Sequence, residues 1–442
     1  MKESRYNIYL LDEKEKKGLI YNSMQRSIVH IDDEVYNLMR SGRIEEISDD
    51  VTDVLKQGRA LIDENQDELQ ILKIMFNRAK FSALSTGFTI IPTHLCNLAC
   101  TYCYQGHGDV MGKTMSTETA RRAVEFIKKN AVGRKSLGIN FYGGEPLLFP
   151  DIPFGILEQI KQFTDENGIY LSTSFTSNGT LFTEEIVKNL KDFEHEVQIT
   201  FCGSREVHDA VRVDKKGNGT YERLMDVISL FRDNDIRFHI RVDIDQENYH
   251  TISSLLEDLS QRGFGGLYIG FCPIGKDICY TEMERDSGRI DLVSLTRLFK
   301  VAHDMGFRTN PIYIQNFIEG CAAIKDAFLA IDPDGDVYKC IAAPNYKEHR
   351  FGTLDESGNL SNVNYDAFCS WTLRDPLLIE ECVQCKFAPI CAGGCALSAY
   401  SKHGSIMSPG CDEKDLGEIM RTYIMLKHPE LFEGCSYESI VL

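Results

Sequence analysis

No uncharged apolar run in the 442 residues approaches the roughly 18–20 that a membrane-spanning helix needs. The opening stretch, MKESRYNIYLLDEKEKKG, also lacks the apolar core of a secretory signal. Both absences make a cytoplasmic location, with no membrane partner, the expectation. Positive charge is scarce as well: 48 Lys and Arg stand against 66 Asp and Glu, a formal net charge of −18. Nucleic-acid binding depends on cations that neutralise phosphates, so this balance argues against DNA or RNA as a partner. Internal repeats and low-complexity linkers are missing too. With 43% hydrophobic residues, the chain falls among soluble proteins of two or three globular domains.

Cysteine, by contrast, is abundant. Fifteen cysteines in a reducing compartment do not make a disulfide framework, and those that cluster point to metal or redox chemistry. THLCNLACTYCYQ holds Cys96, Cys100 and Cys103 within eight residues, with no fourth cysteine close behind. Three thiolates can hold a cubane iron–sulfur cluster and leave its fourth iron open, whereas structural zinc takes four protein ligands.

Along the chain, RYNIYLL, KGLIYN and SIVHID read as short strands. Helix-like runs follow through Val35, Leu38 and Met39, through Val51, Val54 and Leu55, and from Leu69 to Phe76. Asp32 and Asp33 are candidate caps for the first helix. This unit, residues 1–83, looks like a winged helix whose strand edge would accept a peptide. Residues 84–306 alternate strand and helix patterns. The strands are FTIIPT, LGINFYG, IYLSTSFTS, EVQITFCG, IRFHIRVDI and LYIGFCPI, with amphipathic helices between them, for instance Ala120, Ala123, Val124 and Ile127 after a Ser116 cap. Six such units predict an α/β fold, a partial (β/α)6 barrel with its working residues at the carboxyl ends of the strands. The cysteine loop, YGGEP and TSNGT each follow a strand and would meet at one mouth. Residues 307–442 are turn-rich and hold most of the remaining cysteines. Their hydrophobic runs are too few for an ordinary core, so metal is expected to help fold them.

The cysteine loop resembles that of the radical S-adenosylmethionine (SAM) enzymes, whose hallmark is C-x3-C-x2-C with an aromatic residue, here Tyr102, before the last cysteine. The resemblance implies that Cys96, Cys100 and Cys103 hold a 4Fe–4S cluster whose open iron binds SAM. Reduction then releases a 5′-deoxyadenosyl radical, fed by a flavodoxin- or ferredoxin-type electron donor. Gly143 and Gly144 would let backbone approach the ligand, and the Glu145 carboxylate would pair with the SAM ammonium. Ser177 and Asn178 stand where family members contact the ribose. ITFCGSREVHDAVR offers Thr200 and Arg212 for the SAM carboxylate, with Arg241 on the next strand as competitor. Within it, His208 and Asp209 read equally well as structural or catalytic. Alone, either turn is an ordinary one.

The tail resembles the SPASM domain of radical SAM enzymes that modify peptides and proteins. Its seven cysteines are Cys321, Cys340, Cys382, Cys385, Cys391, Cys395 and Cys411. The family scheme gives one auxiliary 4Fe–4S cluster to Cys382, Cys385, Cys391 and Cys411, and another to Cys321, Cys340 and Cys395. That makes three clusters in all. The fourth ligand of the last set, a cysteine shortly before the position of Cys321 in relatives, is missing. Either Cys272, Cys279 or another distant residue closes the site, or its iron stays open for a substrate thiolate. Cys202, Cys272, Cys279, Cys369 and Cys435 read first as buried or inert thiols. The resemblance implies a maturase that installs a thioether link in a ribosomally made precursor peptide, with residues 1–83 holding its leader. A carbon–carbon crosslink is the nearest alternative. Sulfatase-maturating relatives carry an aspartate where Ile341 stands, which counts against that activity. A non-enzymatic, zinc-stabilised binding protein is the alternative of another class, separated by its metal content.

Overall fold

Ile8 and Leu10 alternate with Tyr9, and this period of two puts the first strands in a sheet with two buried faces. β1 (Lys2–Glu3) precedes an antiparallel meander of β2 (Asn7–Asp12), β3 (Lys17–Asn22) and β4 (Ser27–Asp32). Helices α1 (Asp33–Arg40), α2 (Asp49–Gln57) and α3 (Glu68–Lys80) follow, with β5 (Leu61–Ile62) paired to β1. Asp32 caps α1 by accepting from the Val35 N–H at 2.8 Å, while Asp33 is the first helical residue. Such a cap contributes about 1 kcal/mol. One sheet face packs Tyr9, Ile20, Val29 and Ile31 against Leu38, Met39 and Leu55. Val54 of the same helix-like run is exposed.

The structure, a computed structural model, describes residues 1–12, 17–103, 112–274, 290–309, 321–410, 413–428 and 440–441. They fall into two compact units: Met1–Lys80 with Tyr313–Cys321 and Asp375–Leu442, and Phe81–Ile312 with Ala322–Arg374.

The second unit carries an eleven-stranded sheet. Its centre is six parallel strands in sequential order: β6 (Ser85–Ile90), β7 (Ser136–Phe141), β8 (Tyr170–Ser177), β9 (His195–Phe201), β10 (Phe238–Ile244) and β11 (Tyr268–Pro273). They match the six strands expected from the sequence, with β6 beginning three residues earlier. Between them run α4 (Thr117–Ala131), α5 (Asp151–Asn167), α6 (Glu184–Leu190), α7 (Arg205–Val211), α8 (Tyr221–Asp233) and α9 (Ile252–Gln261). Ser116 caps α4 as expected, accepting from Thr119 N–H at 3.0 Å, and Ala123, Val124 and Ile127 are buried. After α10 (Leu292–Asp304), β12 (Arg308–Thr309) extends the β11 side. β13 (Phe328–Ile331) joins the other side, parallel to β6, and β14 (Asp336–Tyr338), β15 (Gly352–Leu354) and β16 (Leu360–Ser361) continue from it antiparallel. Helix α11 (Tyr365–Leu373) completes this unit. That extension was not expected; strands of two to four residues carry too little pattern to read.

The C-terminal part of the first unit contains α12 (Glu380–Gln384), α13 (Ala388–Cys391), α14 (Ala396–His403) and α15 (Glu413–Lys427), then β17 (Ile440–Val441), which pairs antiparallel with β2. The second face of the β2–β4 sheet, formed by Ile8, Leu10, Leu19 and Tyr21, packs on Phe387 and Ile390 and on Leu416, Met420 and Ile424 of α15. Ser23 Oγ donates to the Lys386 carbonyl at 2.6 Å. The N-terminal strands and the cysteine-rich segment therefore share one core. Among the described residues no helix is long and apolar enough to cross a membrane.

Candidate active site

Past the end of β6, the chain from Ile91 runs into the cysteine loop. The loop is braced by backbone pairing with the segment after α7: Ala99 N–H donates to Val213 O at 2.8 Å and Thr101 N–H to Val211 O at 3.0 Å. This pairing sets Arg212 opposite Cys100. The Arg212 guanidinium is buried, donates through Nη1 to the Tyr102 hydroxyl at 2.6 Å, and keeps a buried Nε with no partner. Cys202 Sγ donates to the same hydroxyl at 2.9 Å. Burial works against the Arg212 cation, yet the neighbouring Tyr102, Cys100 and Cys202 outweigh it and hold the group protonated.

The turn after β7 lies on the loop's own backbone. Gly144 N–H donates to Thr93 O and Glu145 N–H to Leu95 O, both at 3.0 Å. A Cβ at Gly143, whose φ is +133°, would lie 2.5 Å from Thr93 O, and one at Gly144 would lie 2.5 Å from His94 O. These glycines thus admit the cysteine loop itself, where the sequence reading had them admit a ligand. The Glu145 carboxylate, expected to meet the SAM ammonium, is fully buried. It accepts from Ser177 Oγ at 2.9 and 3.1 Å, Asn178 N–H at 2.8 Å and Leu147 N–H at 3.1 Å. Burial raises its pKa against the pull of these donors. In this arrangement Glu145 ties the β7 turn to the β8 turn.

Asn178, expected at the ribose, reaches back to the cysteines. Its Nδ2 donates to Asn97 Oδ1 at 2.8 Å and lies 3.5 Å from Cys96 Sγ, while its Oδ1 accepts from the Thr180 N–H and hydroxyl. Leu98 N–H also donates to Cys96 Sγ, at 3.4 Å. Asn97 is the partner that sequence reasoning missed; its only signal was its place between two of the cysteines. Thr200 and Arg241 are register neighbours on β9 and β10, and Arg241 Nε is paired with Asp243 Oδ1 at 2.6 Å. Of the two arginines, it is Arg212 that stands at the cysteine loop. His208 is buried beneath it, bonded to the Cys202 N–H and the Thr220 hydroxyl, and Asp209 accepts from the Tyr221 N–H.

Burial pushes the Cys96 thiol up to about 12, with Glu145 adding to the effect. It raises Cys100 as well, against Arg212. Buried thiols of this kind ionise only when a bound cation offsets the cost. Three cysteines on one loop, N–H donors on Cys96 and a fixed guanidinium opposite Cys100 fit an iron–sulfur cluster. Residues 90–259 match the family model of the Radical SAM superfamily. The chain carries a radical SAM domain. The family implies SAM and one 4Fe–4S cluster, and Cys96, Cys100 and Cys103 of this domain are the residues that fit the cluster.

Among curated relatives, the chain is 23% identical over 314 residues to a serine-type anaerobic sulfatase-maturating enzyme of Klebsiella aerogenes, covering 68% of this chain and 76% of that one. It is 22% identical to the radical SAM cyclopropyl synthase TigE of Paramaledivibacter caminithermalis, covering 93% of both. Among solved structures, Streptococcus suis SuiB bound to S-adenosylmethionine aligns with a TM-score of 0.55 at 16% identity, over 92% of this chain and 98% of that one. SuiB bound to its precursor peptide SuiA aligns at 0.54 and 16%, over 93% and 99%. These matches extend the likeness of fold well beyond the radical SAM domain.

In the other cysteine group, Cys382 is buried on α12, Cys385 Sγ accepts from Phe387 N–H at 3.3 Å, and Cys391 ends α13. Ala392, Gly393 and Gly394 then turn left-handed, with φ of 52°, 76° and 69°, to bring the chain to Cys395. Two glycines in that run relieve the strain an L side chain would meet. Cys321 and Cys395 belong to the first unit and Cys340 to the second. Cys272 faces Asp243 in the β10–β11 register, and Cys369 is exposed on α11. Cys279, Cys411 and Cys435 lie outside the described residues.

Proposed function

We propose that the protein is a radical SAM peptide maturase that installs a thioether crosslink in a ribosomally made precursor peptide. The observation that carries this reading is the presence in one chain of a radical SAM domain and a second cysteine-rich segment that shares its core with an N-terminal strand-and-helix module. SuiB, similar in fold over most of its length and solved with a precursor peptide, supports a peptide substrate. The module, residues 1–83, would take the leader as an added strand. β17 occupies the β2 edge, and among the described residues the β4 edge has no strand partner.

When bound, cluster and SAM supply the 5′-deoxyadenosyl radical that takes a hydrogen from the peptide. The chain's own residues hold that chemistry in place. Asn178 and the Leu98 N–H fix Cys96, Glu145 locks the two turns that support the loop, and Arg212 offers its unpaired Nε–H to an anionic group such as the SAM carboxylate. Thr200 and Arg241 line the inner face beside it. Cys382, Cys385, Cys391 and Cys411 would hold one auxiliary cluster and other C-terminal cysteines a second, and such clusters would supply an electron acceptor or a site for the substrate thiolate. A flavodoxin- or ferredoxin-type protein would deliver electrons. Three clusters predict about 12 irons per chain.

A second reading, sulfatase maturation, is favoured by the Klebsiella relative but meets Ile341 where those enzymes would need a base. Coexpression with a short precursor encoded beside the gene, followed by mass spectrometry, separates the outcomes. Loss of two hydrogens with loss of one free thiol supports the thioether. The same mass loss with all thiols intact supports a carbon–carbon link, and an unmodified precursor rejects peptide crosslinking.

A further inference from the structure

The inner face of a closed β/α barrel is normally filled by layers of Val, Ile and Leu. Here it is small and polar. At the amino-terminal ends of the strands, Gly87, Gly138 and Ser172 stand in one register row, and the next row is Thr89, Asn140, Ser174 and Glu196. The second row is cross-bonded: Ser174 Oγ donates to Asn140 Oδ1 at 2.9 Å, and the Asn140 amide lies 3.4 Å from Thr89 Oγ1. These residues line a cavity of about 520 Å³ whose rim carries the exposed Tyr170 and the Glu194–Arg237 ion pair.

The two glycines differ in kind. Gly87 is dictated by its neighbour, since a Cβ there would lie 2.5 Å from the Phe328 ring. Gly138 has no such constraint: its φ is not positive, and a Cβ would meet only Ser172 Oγ, at 3.6 Å. Neither backbone conformation nor crowding requires glycine there. Its missing side chain leaves the hollow open.

We propose that this hollow is a binding site for an extended, polar, small-side-chain segment of the precursor peptide, distinct from the segment that reacts. The inference rests on the peptide-maturase reading. Hydroxyl, amide and carboxylate groups along two rows suit a peptide backbone, which presents a donor and an acceptor at each residue, and Phe328 adds an apolar wall. The cavity lies within the roughly 300–1,000 Å³ of ligand sites. From Ser172 to Asn178, which touches Cys96, β8 advances six residues, roughly 20 Å at ~3.3 Å per residue. The hollow therefore lies about six residues of extended chain from the cysteine loop, and a precursor that reaches both sites has its held segment at about that separation from the reacting one.

The test places a benzophenone amino acid at Tyr170, irradiates the full-length holoenzyme with its precursor, and maps the adduct by mass spectrometry. A crosslink about six residues from the modified position is expected. An adduct only at the reacting residue, or none while the same preparation still modifies the precursor, overturns the proposal. In parallel, Gly138→Leu should raise KM for the precursor about tenfold. Precursor-free SAM cleavage and the electron paramagnetic resonance signal of the reduced clusters should stay unchanged. An unchanged KM overturns the site, and should this variant not fold, the crosslink decides. If the unsubstituted enzyme modifies no precursor at all, the maturase reading itself fails.

Discussion

Alanine at Gly144 is expected to strip the cysteine loop of its cluster while leaving the parallel sheet folded. The added Cβ would sit 2.5 Å from His94 O and 2.6 Å from the Leu95 carbonyl carbon, where ordinary contact begins near 3.4 Å. These are backbone atoms and have no rotamer to yield, so the loop must retreat by about 1 Å, an overpacking cost of about 1–3 kcal/mol. The retreat also weakens the bonds from Gly144 N–H to Thr93 O and Glu145 N–H to Leu95 O, about 1 kcal/mol each. A shift of that size at Leu95 moves the neighbouring Cys96 away from Asn178. The assay is iron content and electron paramagnetic resonance after anaerobic reconstitution, alongside circular dichroism. Gly155→Ala is the control, since its Cβ would meet nothing within 4 Å and alanine favours the helix by roughly 1 kcal/mol. The reasoning is refuted if Gly144→Ala keeps a SAM-responsive cluster signal equal to that of Gly155→Ala.

Three further outcomes follow from single contacts. Asn178→Ala removes the donor to Asn97 and Cys96 and the acceptor for Thr180; melting should show a loss of about 2 kcal/mol, with faster iron release to chelator. Asp332 is buried, and burial lifts its pKa to about 6 against the pull of Lys347. Because the folded value lies above the unfolded 3.8, its contribution is fully present below pH 4 and is lost as pH rises through 6. Asp332→Asn should match the parent in urea unfolding near pH 4 and exceed it by up to about 3 kcal/mol at pH 8; equal differences at both pH values would contradict the assignment. Met420→Ala opens a cavity in the core shared by β2, β3 and α15 and should cost about 2–5 kcal/mol, with hydrogen exchange quickening in β2 and β3 as well as in α15. Exchange confined to α15 would deny the shared core.

The six central strands and the Asp32 and Ser116 caps were legible because each depends on residues close in sequence. The cysteine loop was legible for the same reason, as a spacing of three cysteines within eight residues. What escaped the sequence depends on chain segments far apart. Nothing near Gly144 says that its neighbour is Leu95, nothing in VRVD says that it pairs beside Cys100, and nothing in β2 or β3 says that Phe387 and Met420 cover their second face. Glu145 shows the limit most clearly. A carboxylate after Gly-Gly reads as a ligand group, but its burial and four donor contacts emerge only when the β7 and β8 turns meet.

The most direct measurement is anaerobic SAM cleavage by the reduced protein and by its variant with alanine at Cys96, Cys100 and Cys103. The parent is predicted to form 5′-deoxyadenosine and methionine, and the variant neither, while it still binds iron at the C-terminal cysteines proposed to hold the auxiliary clusters. Continued 5′-deoxyadenosine formation by the variant would contradict the account.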